Sequence, residues 1–183
     1  MNYTLEQFVR DLDDLTTASD VPPDDELATI VAERLQELVV RPDAVPERFR
    51  RRDPERGGRG RYMLHRAPTF NVTSIVWAPG EVAPPHNHET WGAIGLVSNA
   101  IEERRYEILA DDTVRPTDHE RHSRGAVSVL IPDEDVHSMH NLTGTDTVEI
   151  HVYGKDLTGL TRKQWSLEGD TMRTFQSSKY FNC

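Results

Sequence analysis

This sequence predicts a mainly β fold, a sandwich or barrel with amphipathic helices packed outside it at the N-terminus. Three observations carry that reading. Apolar residues keep helical spacing only in roughly the first 45 residues. From about residue 60 onward, short segments rich in β-branched and aromatic residues replace them. Those segments are separated by turn residues at Pro79-Gly80, Pro84-Pro85, Asn99, Asp111-Asp112, Pro132-Asp133 and Gly144. With 183 residues, 36% hydrophobic and 28% charged, the chain fits one domain with enough apolar material for a core. Residues 1–183 are read as that domain, with a helical lead-in over 1–45 and a β-rich body and C-terminal tail over 60–183.

The elements follow in order. Leu5, Phe8, Val9, Leu12 and Leu15 recur at helical spacing, and Thr4 with Gln7 fits a capping box, so a helix is predicted over about 4–16. Pro22-Pro23 breaks the chain. Asp24 and Asp25 then open a second helix whose apolar face is Leu27, Ile30, Val31, Leu35, Leu38 and Val39. Strands are predicted near 61–66, 71–78, 91–97, 101–108, 126–131 and 146–153. Between helices and strands, Arg48, Arg50, Arg51, Arg52, Arg56, Arg59 and Arg61 crowd one stretch. Such a run reads first as a solvated loop; an anion-attracting rim beside a site and a partner-docking surface are the alternatives.

Charge and composition exclude several function classes. Twenty-one Lys and Arg against 31 Asp and Glu give a net charge of −10, which is repelled by phosphate backbones and anionic membranes. Neither nucleic-acid nor membrane partners are expected. No apolar run approaches the roughly 20 residues of a bilayer span. The only cysteine is Cys183, so neither an internal disulfide nor a cysteine-based zinc cluster is expected. Met1-Asn2-Tyr3-Thr4-Leu5-Glu6 lacks the basic and apolar parts of a secretion signal, and a cytoplasmic location is the expectation.

Chemistry concentrates in the histidines. His86 and His88 stand two apart, a spacing that puts both imidazoles on one face of an extended strand, behind the stiffening Pro84-Pro85. A second stretch, Pro132 to Asn141, holds His137 and His140, either of which could bring a third imidazole. Three neutral histidines on one face of an ion leave other positions open, an arrangement suited to non-haem iron. In Val148-Glu149-Ile150-His151-Val152-Tyr153, alternation places Glu149, His151 and Tyr153 on a common face.

These stretches resemble the two motifs of the cupin barrel, and more closely its thiol dioxygenase branch, which includes cysteine dioxygenase and bacterial 3-mercaptopropionate dioxygenase. Gly80, His86 and His88 match the first motif; Pro132, His137 and Asn141 match the second, although Glu134 stands where that motif usually has Gly. The resemblance implies a cupin, jelly-roll-like β-barrel that binds Fe(2+) through His86, His88 and His137. His137 is favoured over His140 by its place before Asn141. Most cupins add a metal-binding Glu about four residues after the second His; Gly92 stands there, with Trp91 before it, as expected of the branch that uses histidines alone. The branch's Ser-x-His-x-Tyr relay is matched by His151 and Tyr153, with Glu149 in place of Ser. A carboxylate there is expected to orient the imidazole more strongly than a hydroxyl and to raise its pKa.

Arg162, nine residues after Tyr153, falls where the bacterial subgroup binds the substrate carboxylate, and Trp91 is assigned with it to the substrate side. The alternative Arg of mammalian-type cysteine dioxygenases falls at Leu64, two residues after Tyr62, and is missing. The implied activity is oxidation of a small carboxylated thiol by O2 to a sulfinic acid, with Glu149, His151 and Tyr153 as the catalytic group. A cupin dioxygenase acting on a non-thiol substrate and a non-catalytic metal- or ligand-binding cupin are the alternatives. The resemblance spans about residues 60–182, and neither oligomeric state nor the particular thiol follows from it.

Overall fold

The expected N-terminal helices form where their periodicity places them. In the computed structural model, which describes residues 3–52, 58–177 and 179–182, α1 is Leu5–Thr16 and α2 is Asp24–Val39. Arg56 and Cys183 lie outside the described residues. Thr4 caps α1 through the Gln7 backbone and Gln7 returns a bond to Thr4, so both halves of the capping box are made. Pro23 closes the entry to α2, whose first turn carries Asp24, Asp25 and Glu26 against the positive end of the helix dipole. A short 3-10 turn, Glu47–Phe49, leads into the β region. No helix among the described residues is long and apolar enough to cross a membrane.

Eleven strands follow among the described residues: β1 Gly60–Arg66, β2 Asn71–Trp77, β3 Val82–His86, β4 Gly92–Ser98, β5 Ala100–Ile108, β6 Val114–Ser123, β7 Val127–Leu130, β8 His137–His140, β9 Thr147–Tyr153, β10 Arg162–Trp165 and β11 Met172–Phe175. They form two antiparallel sheets, ordered β1-β2-β9-β4-β7 and β11-β10-β3-β8-β5-β6. Among the described residues no strand of one sheet pairs with the other. The architecture is therefore mainly β, two antiparallel sheets with two helices outside, which meets the expected sandwich or barrel without strand pairing that closes it among the described residues.

Six of the strands coincide with the predicted segments. The other five escape hydrophobic patterning for separate reasons. β6 is an edge strand, exposed along most of its length and carrying Pro116, which an edge tolerates because one side of its backbone needs no partner. β3 carries Pro84-Pro85, and its register against β8 shifts between Ala83 and His86, where two residues have no N–H to offer. β8, β10 and β11 are four residues each, too short for a period to show.

The layers follow from alternation along β9. Val148, Ile150 and Val152 face outward and pack with Val72, Val76, Ala93 and Val97 against Phe8, Leu12, Leu27, Val31, Leu35 and Leu38 of the helices. Gly95 of β4 permits this approach, since a Cβ there would fall 2.6 Å from Val39 and 2.9 Å from Leu35. On the inner face, Ile75, Trp77 and Leu96 meet Ala83, Ile101 and Met139 of the second sheet. Glu149, His151 and Tyr153 share that inner face. The helices thus cover one side of the first sheet and the second sheet covers the other, with the polar residues of β9 pointing into the middle.

Candidate active site

Pairing of β3 with β8 sets His86 directly opposite His137, bringing together the two His-bearing stretches from distant parts of the chain. His88 lies just past the end of β3, where the Asp135 carboxylate accepts its backbone N–H. The shared strand face expected for His86 and His88 is therefore replaced by a strand end and the irregular segment that follows it. The result is a nearly equilateral triangle of rings, with centroids 4.8 Å apart for His86–His88, 5.0 Å for His86–His137 and 4.9 Å for His88–His137. The candidate ligand nitrogens all lie within 4.8 Å of one another. His140 is not among them. In β8, His137 and Met139 face inward, whereas Ser138 and His140 face the other way and bond to each other at 2.8 Å.

Two of the three outward nitrogens have acceptors. His86 Nδ1 lies 2.9 Å from the Pro84 carbonyl, and His137 Nδ1 lies 2.7 Å from Glu103 Oε1. His88 Nδ1 lies 3.3 Å from Asp135 Oδ2, within ion-pair reach but out of line for a hydrogen bond, so this buried nitrogen is left unsatisfied. Carbonyl or carboxylate partners of this kind fix which nitrogen of a metal-binding imidazole carries its proton. Burial, then the neighbouring His137 and Arg162, hold His86 well below the usual imidazole pKa; burial, His86, His137 and Arg162 do the same for His88. Both rings are neutral at pH 7 and keep a lone pair for a cation. The donor set therefore fits a divalent transition metal, with no carboxylate in the cluster.

Behind the triangle, Glu103 accepts from His137 at 2.7 Å and His122 at 2.8 Å, with Arg105 at 3.2 Å. Burial pushes its pKa up, but the bonds to the two histidines and the Arg105 charge prevail and hold it far below the usual carboxylate range. Glu89, adjacent to His88, is exposed and bonds to Asn87, away from the cluster. Gly92 stands where the resemblance to cupins would place a fourth ligand. A Cβ at that position would fall 2.9 Å from the Tyr153 ring and 2.9 Å from the Val152 carbonyl, so the tyrosine occupies the space a longer side chain would need.

That tyrosine ends a buried relay. Trp77 Nε1 donates to Glu149 Oε2 at 2.6 Å, the same oxygen lies 2.9 Å from His151 Nε2, and His151 Nδ1 lies 2.7 Å from the Tyr153 hydroxyl. Indole N–H can only donate, so Glu149 Oε2 is an acceptor. His151 Nε2–H then donates to the carboxylate, and Nδ1 accepts the Tyr153 proton. Burial outweighs the Glu149 bond and lowers the pKa of His151, which keeps the ring neutral in this arrangement. The hydroxyl hydrogen is thereby committed to His151, and a lone pair of the Tyr153 oxygen faces the site. The Tyr153 ring also stacks on His88, with centroids 5.4 Å apart.

Above the triangle is a cavity of ≈90 Å³ lined by the three histidines, His151, Tyr153, Trp77, Arg59, Arg61, Arg162 and Tyr180, among others. A cavity needs about 10–15 Å³ to hold one water, so the space suits a ligand of several heavy atoms. Arg162 is 4% exposed; Nη1 donates to the Asn87 carbonyl at 2.8 Å, Nη2 donates to Ser177 Oγ at 2.5 Å, and the guanidinium lies 4.4 Å from the Phe175 ring. Trp91 is not at the cavity. It is buried among the residues between the first sheet and the helices, against Gly154, and the substrate contact expected of it is corrected on that ground.

No protein-family model matches the chain. Among solved structures, the chain is similar to TT1209 from Thermus thermophilus, with 15% identity over 59% of this chain and 91% of that chain and a TM-score of 0.47. It is similar to KdgF from Halomonas sp., with 19% identity over 61% and 92% and a TM-score of 0.46. It is also similar to the cupin_2 domain of an XRE family transcriptional regulator from Enterobacter cloacae, with 12% identity over 55% and 99% and a TM-score of 0.43. Likeness at this level does not select a chemistry, which is set by the side chains around the cavity.

Sequence reasoning missed several of those side chains. Glu103 and Asp135, which hold His137 and His88, carry no motif of their own. Trp77 is visible in sequence only as a strand residue. Arg59 and Arg61 fall inside the run read first as a solvated loop. Their i, i+2 spacing at the start of β1 was the available signal, and the structure puts both on the cavity, as the anion-attracting alternative anticipated.

Proposed function

We propose that this chain is an iron(II)-dependent thiol dioxygenase with a cupin fold, converting a small carboxylated thiol and O2 to the sulfinic acid. The supporting observation is the carboxylate-free triangle of His86, His88 and His137 facing the same small cavity as Tyr153 and Arg162. The net change is RSH + O2 → RSO2H: sulfur is oxidised by four electrons, O2 is reduced by four, and both oxygen atoms end on sulfur. Iron(II), held by His86, His88 and His137, would supply Lewis acidity that favours the thiolate form and the redox chemistry that dioxygen needs.

The chain's own residues do the rest. Arg162, its position fixed by Asn87, Ser177 and Phe175, retains unused N–H groups for a substrate carboxylate and thereby orients the thiol. The Tyr153 oxygen accepts the thiol proton while its own proton moves to His151 Nδ1. The imidazolium so formed stays paired with the Glu149 carboxylate. Tyrosine, imidazole and carboxylate then work as a Ser-His-Asp triad does, the carboxylate holding the tautomer and compensating the charge. Glu149 is a positioning residue in this scheme.

The test is metal analysis of the purified protein combined with oxygen uptake against 3-mercaptopropionate, cysteine, cysteamine and 2-mercaptosuccinate. Bound iron, one O2 consumed per thiol and a sulfinate product are expected. Bound metal with no uptake on any thiol would refute the proposal, leaving a cupin dioxygenase with a non-thiol substrate or a non-catalytic cupin.

A further inference from the structure

Two of the three cavity arginines have no carboxylate partner among the described residues. Arg59 donates to Glu81 at 3.0 Å, and its guanidinium lies 3.6 Å from the Trp77 ring, so its charge is already paired. Arg61 and Arg162 form no ion pair among the described residues. Arg61 lies against the Tyr180 ring, 5.3 Å from its centroid, and Arg162 bonds only to the neutral Asn87 carbonyl and Ser177 hydroxyl. In each, Nε is buried with no hydrogen-bond partner. They approach from opposite sheets, Arg61 on β1 and Arg162 on β10, and meet at the same cavity above the histidine triangle. Burial, and then the neighbouring Arg61 guanidinium, disfavour the charge of Arg162.

Arg162 is buried and Arg61 half-buried, and each keeps a buried Nε–H without an acceptor; a cation withdrawn from water without a counter-ion is costly, in a chain whose net charge is −10. Orphan donors on both sides of one cavity are what a ligand with two anionic groups would satisfy. Resting on the thiol dioxygenase reading above, we propose that the substrate is a dicarboxylic thiol, one carboxylate held by Arg162 and the second by Arg61, with sulfur directed at the three histidines. Arg61 is thereby a specificity-determining residue. A monocarboxylic thiol leaves one guanidinium without a counter-ion.

Two measurements test this separately from the reaction. In the first, metal-free protein is titrated calorimetrically with succinate and with propionate, neither of which needs a metal or oxygen. Succinate should bind at least about tenfold more tightly, and R61Q should bring the two affinities to within about threefold, a charge-assisted hydrogen bond being worth about this much. R61K, which keeps the charge, should restore part of the difference and controls for folding. Equal affinity of the native protein for both acids overturns the proposal. In the second, the iron-loaded enzyme is given 2-mercaptosuccinate and 3-mercaptopropionate. A kcat/KM at least about tenfold higher for the dicarboxylate, lost in R61Q through KM, supports it. Preference for 3-mercaptopropionate overturns the dianion and leaves the thiol chemistry standing. Arg61-dependent succinate binding with no uptake on either thiol keeps the dianion site and removes the reaction.

Discussion

Replacing Glu149 by Gln is the sharpest probe of the relay. The side chain is 1% exposed, and its Oε2 takes bonds from Trp77 at 2.6 Å and His151 at 2.9 Å. Gln keeps the shape and one acceptor oxygen but removes the charge. If His151 becomes an imidazolium as Tyr153 takes the thiol proton, the loss is that of one charge-assisted hydrogen bond in a buried setting, about 1.5–3 kcal/mol. That corresponds to a fall in kcat/KM of about tenfold to 150-fold. The pH profile gives the direction independently. Burial already lowers the pKa of His151 and the Glu149 bond raises it, so removing the charge lowers it further. The acidic limb of kcat/KM should therefore move to lower pH while the plateau falls. The assay is oxygen uptake between about pH 5.5 and 8.5, with unchanged iron content and circular dichroism as controls. A plateau within about threefold of native, or a limb moving to higher pH, would show that the carboxylate does not support proton transfer.

Further outcomes follow from the same geometry. His137→Ala and His86→Ala should each abolish iron binding and oxygen uptake, whereas His140→Ala should retain iron because its ring faces Ser138; metal analysis of the three proteins decides this. Gly92→Ala should force the Tyr153 ring aside, costing about 1–3 kcal/mol in denaturant unfolding and lowering activity with iron retained; a native rate would mean the ring has room to spare. Metal-free protein should lose stability in acid. His86, His88 and His151 are held below the usual value near 6.5, so the unfolded chain takes up protons that the folded one refuses as pH falls through 6.5. Each contributes up to about 1.4 kcal/mol one unit below that value. His140, also held low by burial, acts with these three, whereas His122, raised by its hydrogen bond to Glu103, acts in the opposite direction but is one group against four. A Tm that falls between about pH 8 and pH 5.5 is expected, and one that rises contradicts the neutral-histidine cluster.

Much of the fold was legible because burial leaves a period in the sequence. The two helices, their capping box and the central strands β2, β4 and β9 all bury an apolar face, and their patterns predicted them. Strands β3, β6, β8, β10 and β11 were not, since prolines, exposure or four-residue length erase the alternation. In the site, the histidines and the Glu149-His151-Tyr153 face stood out through fixed local spacing. Trp91 misled because proximity in sequence to His88 says nothing about which side of a sheet it occupies; the chain turns it toward the helices.

Residue types and their local spacing establish which chemical groups are available: imidazoles in two short stretches, a carboxylate, imidazole and phenol on one strand face, and arginines enough to attract an anion. Each of these is a local property that follows from the two-residue period of extended chain. How the groups combine is a matter of long-range packing. Pairing of β3 with β8 chose His137 over His140, the Tyr153 ring filled the space beside Gly92, and the stacking of two sheets turned Arg61 and Arg162 toward one cavity with no acid paired to either among the described residues. Such choices depend on which distant segments become neighbours, and burial across the whole chain settles that rather than any segment's own pattern.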